Sequence, residues 1–246
     1  MEWSDEALIL SVRSHGETAS IAEVFSRAHG RYFGLVHGGQ SRRRRPILQI
    51  GNHVDAIWKA RLADQLGHIQ LELKCGFAAK VLDDRAGLAM LMSLAALLRQ
   101  LPERDAHGSL YEISMFVLGF LDDPDVWPAL YVRWEMALLD ELGFGLDITA
   151  CAATGTHDDL IYVSPKSGRA VSASAGEPYK DKLLPLPAFL LGRQRKAPSM
   201  ADVLAGLQLT EYFLVTRVFE QCRQALPEAR IRLAQLLRRA AFQVVV

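Results

Sequence analysis

Apolar and polar positions exchange over short runs along the first 80 residues, and Gly, His and Ser punctuate the runs. Ala7–Arg13 reads as a first strand, His15-Gly16-Glu17 as a turn and Ser20–Ser26 as a second strand. Gly30, within Ala28–Arg31, can supply the positive φ of a hairpin turn, and Tyr32–His37 follows as a third strand. Gly38-Gly39 then breaks the pattern. Pro46–Ile50, His53–Leu62 and His68–Cys75 read as further strands. Within His53–Leu62, Ala56, Trp58 and Ala60 alternate with Ile57, Lys59 and Arg61, the period-two signature of a strand. Five or six short strands in about 80 residues predict a small closed or nearly closed barrel of the OB-fold kind over 1–80.

Beyond residue 80 the period changes. Leu88–Leu98 is rich in helix formers with almost no polar face, the pattern of a buried helix. Leu110–Leu121 and Val126–Leu142 read as two more helices, with Pro128 tolerated in a first turn and Gly143 as a stop. Asp122, Asp123 and Asp125 sit at the start of the latter, where negative charge is favourable. Residues 148–198 are irregular and serine-rich, with Leu160–Val163 and Ala170–Ser172 as short extended pieces. Ser199 with Asp202 three residues on resembles a helix N-cap, opening a helix to about Cys222, and a last helix spans Glu228 to about Phe242. The expected fold class is α+β and multidomain: an OB-fold β-barrel over 1–80, then an α-helical domain over 81–246 carrying 148–198 as an insertion.

Charge is unevenly spread. Residues 1–80 hold 11 Lys/Arg against 8 Asp/Glu, residues 81–150 hold 4 against 12, and residues 151–246 hold 13 against 8, so a neutral chain has an acidic middle between basic ends. The acidic middle repels nucleic acid, so a phosphate-binding face belongs elsewhere. The sharpest positive feature is Arg42-Arg43-Arg44-Arg45, between Gly38-Gly39 and Pro46. Four adjacent guanidinium groups repel one another and suit a dense anion such as a phosphate backbone. A solvated loop is the plainer alternative, but loops of small barrels commonly form nucleic-acid surfaces, which favours phosphate. Arg31, Lys59 and Arg61 add positive charge, Lys59 and Arg61 two apart on one strand face. Arg13 and Lys74 add weaker signals. Tyr32, Phe33 and Trp58 are candidates for base stacking, although barrel aromatics more often fill the core.

Catalytic signatures do not appear. There is no phosphate-binding Walker motif, nucleophile elbow, His-Glu-x-x-His pair or dinucleotide fingerprint. His157-Asp158-Asp159 reads as a polar turn rather than a metal or base site. The segments Cys151–Gly155 and Gly168–Gly176 have the spacing of a zinc ribbon in which one cysteine remains, with Thr154, Ser172 and Ala175 at the other places. Such a set cannot make a four-thiolate site, so the insertion is expected to be metal-free and zinc-finger-like in outline only. No cofactor is expected. Cys75, Cys151 and Cys222 are far apart and fit a reducing compartment. The acidic start Met1–Glu6 lacks a signal-peptide pattern, and the apolar run Gly87–Leu98 is too short to span a bilayer. These features predict a soluble cytoplasmic protein.

Taken in order along the chain, several strings resemble the RecO family of bacterial DNA repair and recombination mediators. They are Glu6–Leu10, His15-Gly16-Glu17, His29-Gly30-Arg31, Gly34-Leu35-Val36 and Gly38-Gly39 before the basic run. The central string Leu130–Phe144 continues the match, followed by Asp147–Cys151 and Tyr162–Gly168. The resemblance covers nearly the whole chain. It implies an OB-fold, a helical domain with a zinc-finger-like insertion, and no bond-breaking activity. It implies binding of single- and double-stranded DNA and annealing of complementary strands. It also implies partnership with RecR and single-stranded-DNA-binding protein (SSB) in loading the RecA recombinase, in a cytoplasmic, nucleoid-associated setting. By this resemblance Arg42–Arg45 fall in the basic DNA-binding loop region, and Arg133 falls where the family receives the acidic, apolar tail of SSB. An internal salt bridge of Arg133 to Glu135 or Asp140 is the competing reading. An RNA-binding OB-fold protein is the alternative function, and an interaction scaffold is a third.

Overall fold

Apolar alternation lets the N-terminal strands close on themselves in the computed structural model, which describes residues 1–62, 65–192 and 197–243. β1 (Glu2–His15), β2 (Ala19–Ser26), β3 (Gly30–Val36), β4 (His53–Lys59) and β5 (His68–Cys75) form a closed barrel in the order β1-β2-β3-β5-β4. The long β1 makes closure possible. Its first half pairs with β4, from Glu2↔Lys59 to Leu8↔His53, and its second half with β2, from Ala7↔Ser26 to His15↔Ala19. A register shift between Ile9 and Ser11 bends the strand between these roles. The remaining seam, β3 to β5, is parallel, with Leu35↔His68 as its register pair. Ala7, Ile9, Ala22, Val24, Val54, Ala56, Trp58 and Leu71 fill the interior, and Leu48 reaches in from the β3–β4 connection.

Two strand expectations are corrected. Pro46–Ile50 is not a strand: the chain curls in successive turns, with Arg45 N–H donating to Ser41 O (3.2 Å) and Leu48 N–H to Arg44 O (3.0 Å). Pro46 has no N–H for a ladder and fits this curl instead. β4 ends at Lys59, so Arg61 lies beyond the strand and does not share a strand face with Lys59.

A short α1 (Phe77–Lys80) leads to α2 (Arg85–Leu98), whose first turn is capped by the Asp84 carboxylate accepting from Ala86 N–H at 2.9 Å. α3 (Gly108–Gly119) follows, and α2 packs on β1. The chain divides into two compact units, Met1–Pro124 with Pro227–Leu233, and Asp125–Leu226 with Ala234–Val246. Residue 80 therefore marks where strands give way to helices, while α2 and α3 stay in the same unit as the barrel. The reason is visible at Glu23 and Arg31, described below.

In the second unit α4 (Trp127–Glu141) packs on α6 (Met200–Phe213). The buried Glu135 carboxylate accepts from Thr210 Oγ1 at 2.5 Å. Ser199 and Asp202 form the expected reciprocal cap of α6. α6 ends at Phe213, earlier than expected, and Leu214–Phe219 continues as a π-helix. The insertion holds β6 (Leu160–Val163), β7 (Ala170–Ser172), a short α5 (Ala173–Gly176) and β8 (Leu184–Pro185), with sheet order β7-β6-β8. Its residues 193–196 lie outside the described residues. Cys151 is buried, and its Sγ accepts from Ser172 N–H at 3.3 Å. Burial pushes this thiol up, but hydrogen bonds from Ser172 and Thr154 outweigh it and bring it down to about 6. One sulfur beside two hydroxyls does not fit zinc, which needs four thiolate or imidazole donors. The thiol holds the turn through hydrogen bonds. α7 (Glu228–Gln243) closes the chain.

Candidate nucleic-acid interface

The arginine run occupies the connection between β3 and β4, and two glycines and a glutamine set its path. Gly38 has φ +63°, which L side chains rarely adopt, and a Cβ on Gly39 would come within 2.7 Å of the Ser20 side chain. Gln40 ties the connection to the β1–β2 turn: its Nε2 donates to Gly16 O (3.0 Å) and Ala19 O (2.9 Å). At the far end Asn52 Nδ2 donates to Pro46 O (2.9 Å) and Ile47 O (3.1 Å). The basic segment is thus a fixed, curled loop held at both ends.

The four arginines are not equivalent. Arg42, Arg43 and Arg45 are exposed. Arg44 is half-buried, and its NH1 donates to Leu71 O on β5 at 3.1 Å. Among the described residues none of the four forms an ion pair. Arg43 and Arg44 line a groove of about 460 Å³ with His37, Ile47 and Leu73, and one carboxylate, Glu72, shares it.

The other expected contact residues scatter. Arg61 is exposed and lines a second groove, of about 760 Å³, with Lys59, Leu35, Leu66 and His68. Lys59 pairs with Glu2 at 2.7 Å across the β1–β4 edge. Arg31 is engaged within the fold. It turns inward, donating from Nε (3.0 Å) and NH2 (2.7 Å) to Glu23 and from NH1 to the Leu101 carbonyl. Glu23 is fully buried and also receives Arg99 Nε (2.7 Å) and Ser11 Oγ (2.8 Å). Arg31 is engaged in holding the barrel to the segment after α2, and we leave it out of the interface. Lys74 is likewise engaged, with Glu6 and with Asp55 at 3.6 Å.

Of the three aromatic candidates for stacking, Trp58 and Tyr32 pack into the barrel core, while Phe33, next along β3, is half-buried and outside that core. Trp58 is 2% exposed, and its indole N–H donates to Phe33 O (3.0 Å) and Leu66 O (3.1 Å). Tyr32 packs edge-on against Trp58 and Trp3, with ring centroids 5.1 Å apart in each pair. The exposed ring pair on this rim is one that sequence reasoning missed. His37, just after β3, stacks on His68, the first residue of β5, at 4.7 Å and 20°. The signal in the sequence was faint: each histidine stands alone beside a turn, and only the β3–β5 seam brings them together.

Arg133 lies on α4 of the second unit, exposed. Its NH2 donates to Phe189 O at 2.6 Å, and the guanidinium lies 5.9 Å from the Phe189 ring centroid. Among the described residues no carboxylate pairs with it. Glu135, one of the expected internal partners, is bonded to Thr210 instead.

Comparison with known proteins covers almost the whole chain. The family model described as Recombination protein O N terminal matches residues 1–75, and Recombination protein O C terminal matches residues 82–225. A DNA repair protein RecO from Methylorubrum extorquens is 50% identical over 241 residues, 96% of this chain and 98% of that protein. Another from Methylobacterium nodulans is 52% identical over 234 residues, 94% of this chain and 95% of that protein. A third, from Rhodospirillum centenum, is 50% identical over 243 residues, 98% of this chain and 96% of that protein.

Proposed function

The chain belongs to the RecO family of DNA repair and recombination proteins, and from that premise we propose that it acts as a recombination mediator that binds DNA through the arginine loop of its barrel. The family is one of repair mediators and not a known enzyme family. The observation that carries the DNA-binding reading is the trio Arg42, Arg43 and Arg45, exposed and, among the described residues, without ion pairs on a loop fixed at both ends. Three uncompensated guanidinium groups on a rigid support suit phosphates, whose release of counterions drives binding. Arg61 adds charge in the neighbouring groove. Both single- and double-stranded DNA offer this backbone, so both are ligands.

In this reading the protein anneals complementary strands and, with RecR and SSB, helps load RecA. Arg133 offers a guanidinium that, among the described residues, pairs with no carboxylate and lies beside an apolar ring, which suits the acidic, apolar tail of SSB. No helix among the described residues is long and apolar enough to cross a membrane. The protein works in the cytoplasm at the nucleoid.

Annealing of complementary strands coated with SSB tests the proposal. The wild-type protein accelerates it, and the Arg42→Ala, Arg43→Ala, Arg45→Ala triple variant does so weakly. In direct binding, the slope of log affinity against log salt becomes shallower by roughly 2–3 in that variant. An unchanged slope and unchanged annealing would remove the arginine loop from the mechanism. Equal preference for RNA, without action on SSB-coated DNA, would point to an RNA-binding role.

A further inference from the structure

Among the described residues, the ring contact of His37 and His68 is with each other alone. Both rings are exposed, at the ends of the two strands that close the barrel, and Leu35 N–H donating to Gly67 O (2.9 Å) fixes the backbone beneath them. His37 lines the groove of Arg43 and Arg44, and His68 lines the groove of Arg61 and Lys59. With centroids 4.7 Å apart, the pair is the partition between two grooves that each carry positive charge. Cationic groove, aromatic partition, cationic groove is the arrangement a single strand needs: phosphates tracked by charge, a base laid on a π-face.

A metal site does not account for the pair. Near-parallel stacked imidazoles turn faces, not nitrogen lone pairs, toward each other, and no cluster of three or more metal-binding side chains occurs among the described residues. Core packing does not account for it either, because the core aromatics Trp58 and Tyr32 are packed elsewhere.

We propose that the His37–His68 stack is a base-stacking platform for single-stranded DNA, set between the arginine loop and the groove of the β4–β5 connection. This rests on the DNA-binding reading above and deepens it. Duplex DNA keeps its bases stacked on one another and has none to offer the platform, so the platform favours single strands over duplex without reading sequence.

Fluorescence anisotropy of the full chain separates the platform from the phosphate contacts. Two probes of equal length are used, a single-stranded oligonucleotide and its abasic counterpart, which keeps every phosphate and lacks the bases. Wild type binds the base-bearing strand about 10-fold more tightly. His37→Ala and His68→Ala each erase most of that preference while leaving the salt slope and abasic affinity unchanged. His37→Phe restores a π-face and keeps the preference. A preference that persists in both alanine variants, or a phenylalanine variant no better than alanine, overturns the platform while the phosphate contacts stand. If wild type binds neither probe, the DNA-binding reading fails first, and the platform with it.

Discussion

Arg31 and Arg44 show how one residue type takes opposite roles within a single barrel. Arg31 meets a carboxylate that is fully buried, Glu23, and its own side chain is 11% exposed. Removing it leaves that carboxylate with Arg99 and Ser11 alone. Breaking a buried charged pair from one side is costly, so Arg31→Ala should lower the unfolding free energy by about 3 kcal/mol, read by urea denaturation. Its DNA salt slope should match wild type, and a shallower slope would return Arg31 to the interface. Arg44 forms no ion pair among the described residues and gives its hydrogen bond to the Leu71 carbonyl. Arg44→Ala should therefore change the salt slope by less than Arg43→Ala, measured in the same assay. The sequence showed where charge clusters but not which cations are consumed. Glu23 lies 8 residues from Arg31 but 76 from Arg99, and only the folded barrel brings all three together.

Elements whose logic is local were legible in advance. The strands β2, β3 and β5 follow from short apolar runs bounded by glycine turns, and the Ser199–Asp202 pair marks the start of α6 because a cap needs only residues three apart. Ser199→Ala should lower stability by about 1 kcal/mol, measured by thermal or urea unfolding, with no effect on DNA binding. Elements decided by distant partners were not legible. Pro46–Ile50 has the composition of a strand, yet Asn52 and Leu48 draw it into a curl over the barrel. Trp58 is the exception, because its alternation with Ile57 and Lys59 already set it on the face of Ala56, which the closed barrel buries. The histidine stack depends on a pairing of β3 with β5 that no local pattern encodes.

On the scale of the whole molecule, charge links stability to pH. His53 is buried near Glu6 (3.4 Å) and Tyr111 (3.2 Å), with Lys74 and Asp55 close by. Burial holds His53 below its ordinary value of 6.5, against the opposing pull of Glu6. Its neutral form is favoured in the fold, so the stability it contributes is complete above 6.5 and is lost as pH falls through the lower folded value. The urea midpoint should decline from pH 7 toward 5, and His53→Gln should flatten that decline. Glu6, held below its ordinary 4.5 chiefly by Lys74, acts in a separate window at lower pH.

The barrel's closure also has a weak place. β1 meets β2 over eight register pairs and β4 meets β5 over seven, whereas among the described residues β3 meets β5 at Leu35↔His68 alone. A cylinder fastened by one stitch can gape there without unfolding, and the free energy of that opening is smaller than that of the whole domain. The Leu35 amide should exchange with deuterium faster than the paired amides of β1 and β2. A strand lying across both grooves would act as a suture over the slit, and its binding should slow exchange at that one amide more than anywhere else in the barrel.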